Sequence, residues 1–438
     1  MNILQITPGA GGMYCGACFR DNALVGAFRR QGHSSTLIPL YLPMTLDEPD
    51  QTRGTPIFFG GINVYLEEKS AWFRRMPRSW TRWLDAPWLL KATGRFASQT
   101  RPEQVGDLTV SMLKGEEGNQ ARELNQLIDW LKGQDRPDII NLSNILLLGL
   151  VRRLREALGV PVVVTMQGED FFLDALPAHN SRQAWEVVRE RSAEVDGFIS
   201  PSQYFGELMQ SRMEFDQGRL AVVPNGISLE GYEPTSAPTA PPVLGYFARM
   251  CEDKGLPTLV ESFIELKGRE RTSSLRLKVG GGLGPSDQSL VDRIKARLDR
   301  LNLLDSVEFC PNLSREEKVS FFRDLTVFST PALYGETFGL YVIEALAAGV
   351  PVVQPRHAAF PEVVEGTGGG ILCEPGDPLS LADGLESLLL DPERARALGE
   401  SGRNAVRDRY HVDAMATSIV EVYERVLRGE ADRKGRRG

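Results

Sequence analysis

Short apolar runs alternate with longer amphipathic stretches along most of the chain. The apolar runs of the first half predict β-strands at Ile3–Thr7, Thr36–Leu40, Ile139–Leu142, Val162–Thr165, Gly197–Ser200 and Leu220–Val223. Because these runs are apolar nearly throughout, they are typical of strands that are buried on both faces of a parallel sheet. The stretches between them predict helices, for instance Asn22–Arg30 and Leu147–Leu158. This alternation indicates a parallel α/β architecture.

A proline-rich segment, PTSAPTAPP at positions 234–242, interrupts the alternation and predicts a linker. A second series of apolar runs follows it and predicts strands at Val243–Phe247, Leu275–Val279, Val307–Phe309, Thr326–Phe328 and Val350–Val353. A chain of 438 residues also exceeds what one hydrophobic core usually supports. We therefore predict two doubly wound, Rossmann-like domains, at 1–233 and 243–410, joined by the linker.

Two further segments do not follow the α/β alternation. A charged helical pattern from about Asp391 to Leu427 predicts a C-terminal helix at 411–428, which we expect to pack back on the N-terminal domain, and a disordered basic tail at 429–438. The insertion at 67–101 places Trp72, Trp80, Trp83 and Trp88 among several arginines. These tryptophans either pack on the N-terminal domain or form a lip that contacts the acceptor or a membrane surface.

The composition of the chain argues against some classes of function. The net charge of −8 argues against a general nucleic-acid binder. Five scattered cysteines, with one C-x-x-C at Cys15 and Cys18, indicate ordinary thiols in a reducing compartment. No signal peptide is visible, and the apolar runs are too short to span a bilayer. We expect a cytoplasmic location, with peripheral contact at the inner membrane face through Trp72–Trp88 as an open alternative. The oligomeric state stays open.

The segment Thr330–Val353, TPALYGETFGLYVIEALAAGVPVV, carries the strongest chemical signal. A strand is predicted to end near Ser329, and a helix is predicted to begin at Gly339 or Leu340 and to run through Ala348. The first backbone N–H groups of a helix lack acceptors inside it, and together with the helix dipole they attract phosphate. Here those groups belong to Phe338, Gly339, Leu340 and Tyr341.

Charged side chains flank this predicted phosphate site. Glu336 lies in the loop before the helix, and Glu344 lies about one turn into it. Arg249 and Lys254 follow the first strand of the second half, at the sheet edge where open α/β sheets bind ligands. Two cations beside a helix N-terminus make a diphosphate site plausible.

Several familiar motifs are absent from the sequence. There is no D-x-D triplet, and the four histidines are isolated, so we expect neither a metal nor a separate cofactor. The glycine-rich turn Pro8–Gly12 lacks the spacing of the dinucleotide fingerprint. No G-x-S-x-G and no P-loop is present either, which weakens hydrolase and kinase interpretations.

These motifs resemble those of the retaining glycosyltransferases of family 4, which have the glycosyltransferase-B fold of two Rossmann-like domains facing across a cleft. The E-x7-E pair is formed by Glu336 and Glu344 within GETFGLYVIEALAAGVPVV. GYFARMCEDKG, VVPNGIS (Val222–Ser228) and PEVVEGTGGGILCEPGDP support the resemblance. The resemblance covers nearly the whole chain and implies transfer of a hexose from a nucleotide sugar to an acceptor hydroxyl.

The resemblance also implies roles for single residues. Arg249 and Lys254 would hold the donor diphosphate, Glu344 would bond the ribose, and Glu336 would engage the transferred sugar. The remaining donor-binding positions would be Gly11, Gly12, Asn225, Phe338, Gly339, Leu340 and Tyr341. Configuration at the anomeric carbon would be retained by front-face attack, which needs orientation and charge stabilisation more than a strong base.

One departure from the family pattern concerns a loop of the N-terminal domain. Many members have a histidine in an H-G-x-D-like motif, whereas this chain reads Met166-Gln167-Gly168-Glu169-Asp170. Gln167 and Gly168 become candidate contacts to the sugar or the acceptor. A glutamine can still hydrogen-bond a hydroxyl but does not titrate near neutral pH.

The sequence does not identify a single donor or a single acceptor, and it leaves two alternative functions open. The donor is a UDP-, GDP- or ADP-linked hexose, and the acceptor is a glycan, a lipid carrier or a small metabolite. A nucleotide-sugar epimerase or phosphorylase on the same fold would turn over the donor without a separate acceptor hydroxyl. A non-catalytic sugar-nucleotide-binding protein would not be expected to keep Arg249, Lys254, Glu336 and Glu344 together.

Overall fold

The computed structural model describes residues 1–9, 16–44, 46, 48–59, 102–233 and 240–435. The chain divides into two compact units. Unit 1 consists of Met1–Pro224 together with Met415–Gly438, and unit 2 of Asn225–Ala414. Each unit has its own parallel sheet and its own hydrophobic core.

Unit 1 contains a parallel sheet with the strand order β2-β1-β3-β4-β5-β6. Its strands are β1 (Asn2–Thr7), β2 (Ser34–Pro39), β3 (Ile139–Leu142), β4 (Val162–Thr165), β5 (Gly197–Ser200) and β6 (Leu220–Val222). Every residue of β3, β4 and β5 is buried. Since neighbouring residues of a strand face opposite sides, both faces of the sheet are covered.

The described helices of unit 1 lie mostly between these strands. They are α1 (Gly16–Arg30), α2 (Pro102–Lys114), α3 (Ala121–Lys132), α4 (Val151–Leu158), α5 (Glu169–Asp174), α6 (Ala178–Ser192) and α7 (Gln203–Met213). A 3-10 turn, Ile145–Leu150, precedes α4, and Asn144 caps it by accepting a hydrogen bond from the N–H of Leu146.

Unit 2 repeats the plan with the strand order β12-β11-β10-β7-β8-β9, again parallel. Its strands are β7 (Val243–Phe247), β8 (Arg276–Gly281), β9 (Val307–Pro311), β10 (Val327–Phe328), β11 (Val352–Pro355) and β12 (Gly370–Cys373). Its helices are α8 (Leu256–Gly268), α9 (Gln288–Arg300), α10 (Arg315–Arg323), α11 (Leu340–Ala347), α12 (Phe360–Thr367), α13 (Pro378–Leu389) and α14 (Pro392–Arg409).

The last helix, α15 (Val412–Gly435), begins in unit 2 and continues into unit 1. Its buried side chains in unit 1 include Tyr423, whose ring lies 6.1 Å from that of Phe28 in α1. Among the described residues, no helix has the length and apolar character required to cross a membrane.

The structure confirms the predicted strands, with small differences at their ends, and the two Rossmann-like domains. It adds the edge strand β12, which the sequence pattern does not predict. Two boundaries differ from expectation. Residues 225–233 belong to unit 2 rather than to the N-terminal domain. The helix α15 runs to Gly435, into the tail predicted to be disordered, because Glu, Ala, Arg and Lys are good helix formers despite their charge.

Some predicted features lie outside the described residues. These are the tryptophan-rich insertion, the first six residues of the linker, 234–239, and Gly11, Gly12 and Cys15.

Candidate active site

The strand order of unit 2 creates a switch point between β7 and β10. From β7 the chain proceeds to β8 and β9 on one side, whereas from β10 it proceeds to β11 and β12 on the other. Open α/β sheets bind ligands at such a point, outside the carboxyl ends of the strands. The loops that follow β7 and β10 meet there, since the N–H of Leu333 donates to the carbonyl of Asp253 at 2.9 Å.

A buried ion pair joins these two loops. The Nζ atom of Lys254 lies 2.6 Å from Oε2 of Glu336, and both side chains are largely buried, with exposed fractions of 19% and 9%. The hydroxyl of Tyr341 donates to the same carboxylate oxygen at 2.7 Å. Burial alone would raise the pKa of Glu336, but the Lys254 charge and these hydrogen bonds hold that pKa below its ordinary value.

Two tyrosine rings surround the Lys254 ammonium. Its Nζ atom lies 4.7 Å from the ring centroid of Tyr334 and 5.6 Å from that of Tyr341. Aromatic faces attract a cation, so the rings add to the attraction of the carboxylate. Burial and the Glu336 charge raise the pKa of Tyr334 to about 12, so this phenol is neutral near pH 7.

Arg249 has a different partner. Its guanidinium donates to Asp287 at 2.7 and 3.0 Å and to the hydroxyl of Ser286 at 3.2 Å. The hydrogen bond to Asp287 raises the pKa of Arg249, which stays positively charged. Its side chain is 60% exposed, so much of this guanidinium faces solvent. Asp287 precedes α9 and was not predicted from the sequence, because an acidic residue before a helix is common.

The predicted helix start is confirmed. Gly339 has a φ of +85° and precedes α11, which ends at Ala347. A Cβ atom at Gly339 would lie 3.3 Å from side-chain atoms of Phe360 and Val342, so both the backbone conformation and the space favour glycine. The backbone N–H of Phe338, which was predicted to be unpaired, instead helps to lower the pKa of Glu336 by a hydrogen bond.

Glu344 lies apart from the Lys254–Glu336 pair. Its Oε1 atom is 2.9 Å from Nζ of Lys318, a residue of α10, and it accepts a hydrogen bond from the hydroxyl of Tyr232 at 3.3 Å. The structure therefore brings Lys254 and Glu336 together and gives Arg249 and Glu344 separate partners. Asn225 is buried at the beginning of unit 2.

The two remaining candidates lie in unit 1. Gln167 and Gly168 form the loop between β4 and α5, and Gly168 has a φ of +106°, a backbone conformation that favours glycine. Across the described parts of the chain, no group of three or more His, Cys, Asp or Glu side chains is arranged to hold a metal ion.

Two family models match the chain. The model for glycosyl transferases group 1 matches residues 233–405, and the model for Glycosyltransferase Family 4 matches residues 95–230. The chain belongs to glycosyltransferase family 4. As a glycosyltransferase of this family, it has the glycosyltransferase-B fold, with a Rossmann-like sheet in each unit.

Two curated relatives share a name. The D-inositol 3-phosphate glycosyltransferase of Segniliparus rotundus is 28% identical over 410 residues, which are 85% of this chain and 86% of that protein. The protein of the same name from Corynebacterium jeikeium is 28% identical over 217 residues, which are 47% of this chain and only 51% of that protein.

Solved structures share the fold of this glycosyltransferase. Sucrose-phosphate synthase from Thermosynechococcus elongatus aligns with a TM-score of 0.68 and 18% identity, covering 98% of this chain and all of that one. Anabaena HepE in complex with UDP and glucose aligns with a TM-score of 0.64 and 16% identity, covering 96% of this chain and 99% of the other.

Proposed function

We propose that this glycosyltransferase transfers a hexose, with retention of configuration, from a UDP-, GDP- or ADP-linked donor to an acceptor hydroxyl. The observation that carries the proposal is the Lys254–Glu336 pair, which lies at the switch point of unit 2 next to the start of α11. A lysine ammonium held by a carboxylate, beside the positive end of a helix, suits a diphosphate that gains charge as the sugar leaves.

Each charged group has a separate role in the proposed reaction. The Lys254 ammonium and the first N–H groups of α11 stabilise the departing diphosphate. Glu336 orients Lys254 and contacts the transferred sugar. Arg249, whose guanidinium donates to Asp287 but whose side chain is largely exposed, adds a second positive charge for the phosphates. These fixed charges make a metal ion unnecessary, so we propose a metal-independent reaction.

The pair Glu344 and Lys318 suits a different part of the donor. A carboxylate that already bonds a lysine and a tyrosine hydroxyl keeps the capacity to accept further hydrogen bonds, as a ribose hydroxyl requires. Donor base and acceptor are open within the proposal. The relatives named for inositol phosphate and the fold neighbour named for sucrose phosphate support small phosphorylated or free polyols as the first acceptors to try.

Nucleotide binding tests this proposal. Calorimetric titration of UDP, GDP and ADP into the wild-type chain should identify one diphosphate that binds, and Lys254→Ala with Arg249→Ala should weaken that binding at least tenfold. Arg300→Ala is the matched control, because Arg300 is an exposed arginine at the end of α9, remote in sequence from the site. Unchanged affinity in the double variant would refute the diphosphate role. Donor turnover that needs no acceptor would favour the epimerase or phosphorylase alternative.

A further inference from the structure

The loop after β4 in unit 1 is held by a carboxylate that has no role in the function proposed above. Glu169 is the first residue of α5, and its side chain is turned back towards the loop that precedes it. Its Oε2 atom accepts hydrogen bonds from the backbone N–H groups of Gln167 at 2.8 Å and of Gly168 at 2.9 Å. Its Oε1 atom accepts a third bond, at 3.1 Å, from the N–H of Ile145.

These three bonds tie two loops together. Ile145 follows β3, whereas Gln167 and Gly168 follow β4, the neighbouring strand. Both loops thus lie at the carboxyl edge of the unit 1 sheet. In this sheet β3 also pairs with β1, and the switch point lies between these two strands. The loops after β3 and β4 are therefore next to the switch point. Glu169 is only 4% exposed, and a carboxylate at that depth is retained only when its oxygens are satisfied.

The residue whose backbone these bonds hold in place is Gln167. Its Nε2 atom is buried and, in the part of the chain that the structure describes, it has no hydrogen-bond acceptor. A buried amide donor without an acceptor is costly, about 1–3 kcal/mol. Such a group is expected where a ligand oxygen completes the bonding. Glu169 holds the backbone N–H groups of Gln167 and of the residue after it, and it therefore determines the point at which the Gln167 side chain leaves the loop.

We propose that Glu169 is a positioning residue that orients the amide of Gln167 towards a hydroxyl of the transferred sugar or of the acceptor. This inference rests on the function proposed above, because it assigns the sugar contact to Gln167. Burial raises the pKa of the Glu169 carboxyl to about 7, although the backbone hydrogen bonds act in the opposite direction.

Glu169→Gln tests the role with little change in shape. Glutamine keeps one oxygen but replaces the other with an NH2 group, which accepts no hydrogen bond. It therefore cannot satisfy the donors on both sides, and the link between the loops is broken. Gln167→Ala removes the positioned amide itself. Glu207→Gln is the control, since Glu207 is an exposed glutamate of α7 in the same unit whose carboxylate accepts a hydrogen bond from Gln203 in the preceding turn.

The experiment supplies UDP-glucose, GDP-mannose and ADP-glucose with a panel of polyol and sugar-phosphate acceptors to the full chain. We expect Glu169→Gln to lower kcat at least about tenfold, because a small displacement of a group that orients a substrate costs much of the rate, while the affinity for the free nucleoside diphosphate stays within about twofold. If Glu169 acts through Gln167, the double variant should be no slower than the slower single variant. Glu207→Gln should match the wild type.

Two kinds of result decide against the inference. A wild-type kcat in either Glu169→Gln or Gln167→Ala would overturn it, and so would full additivity of their effects. If Glu169→Gln does not fold, Gln167→Ala alone still decides whether the amide matters. If the wild-type chain transfers sugar from none of the donors, the proposed function fails, and the role of Glu169 falls with it. If instead the wild type is active and Glu169→Gln is equally active, the proposed function stands and only the role of Glu169 fails.

Discussion

Replacing Lys254 by methionine would leave the Glu336 carboxylate buried without its cation. Methionine keeps much of the length and apolar character of the lysine stem, so the change is mainly one of charge. Glu336 would retain the hydrogen bond from Tyr341 at 2.7 Å but lose the ammonium at 2.6 Å. Removing one partner of a buried pair typically costs 3–5 kcal/mol. Because Lys254 is 19% exposed, the lower end of that range, about 3 kcal/mol, is appropriate.

The expected loss is large enough to measure by calorimetry on the full chain. For a domain the size of unit 2, each kcal/mol shifts Tm by about 2–4 °C, so Lys254→Met should lower the Tm of the transition that includes unit 2 by roughly 6–12 °C. Arg293→Met is the control, since Arg293 and Glu252 form an ion pair at 3.1 Å in which both side chains are mostly exposed. Exposed pairs contribute about 0–1 kcal/mol, so this variant should stay close to the wild type.

The double variant and the pH dependence separate the ion pair from simple loss of packing. Adding Glu336→Gln to Lys254→Met removes the stranded charge, so the double variant should be more stable than the sum of the single losses predicts. Because the pKa of Glu336 is lowered in the folded chain, the contribution of the pair is present above the ordinary glutamate pKa of 4.5. It should be lost as the pH falls through the lowered pKa. A Tm within 1 °C of the wild type, or a strictly additive double variant, would refute this account.

Two further predictions concern the backbone of the site and the chemistry. Gly281→Ala should destabilise unit 2 severely, because Gly281 has a φ of +116° and a Cβ atom there would lie 2.0 Å from the carbonyl oxygen of Ala248. The adjacent Gly282→Ala should be nearly neutral, since no atom of the described residues lies within 4 Å of its Cβ position; equal melting temperatures for the two would contradict the argument. Transfer activity should survive EDTA, and a complete loss that Mn²⁺ restores would show that the fixed charges at Lys254 and Arg249 are insufficient.

Most helices and strands can be predicted from the sequence because the patterns that indicate them are local. The strand Val162–Thr165 is identified by three successive valines, and the glycine before Leu340 marks where a helix begins. The edge strand Gly370–Cys373 is harder to predict. It follows two glycines and is only partly buried, so it has no long apolar run to identify it.

The site is less readable because its pairings depend on the order of the strands in the sheet. Lys254 and Glu336 can each be identified, one after a strand and the other before a helix. Their contact requires β7 and β10 to be neighbours, although two other strands separate them in sequence. Asp287 and Lys318, the partners of Arg249 and Glu344, lie on other loops and helices and look like ordinary surface charges. The sequence does not identify Glu169 as a site residue either, because a carboxylate in a first helical turn is usually exposed.

The passage of α15 from one unit into the other determines how the protein can be divided for expression. Residues 225–414 are continuous and can be cloned as a single fragment. A fragment that stops at Pro224 would lack Met415 and the residues after it, and would expose the surface of Phe28 that Tyr423 covers. Unit 1 therefore has to be produced with its C-terminal segment, either by co-expression or by a circular permutation that joins residue 415 onwards to the N-terminal part.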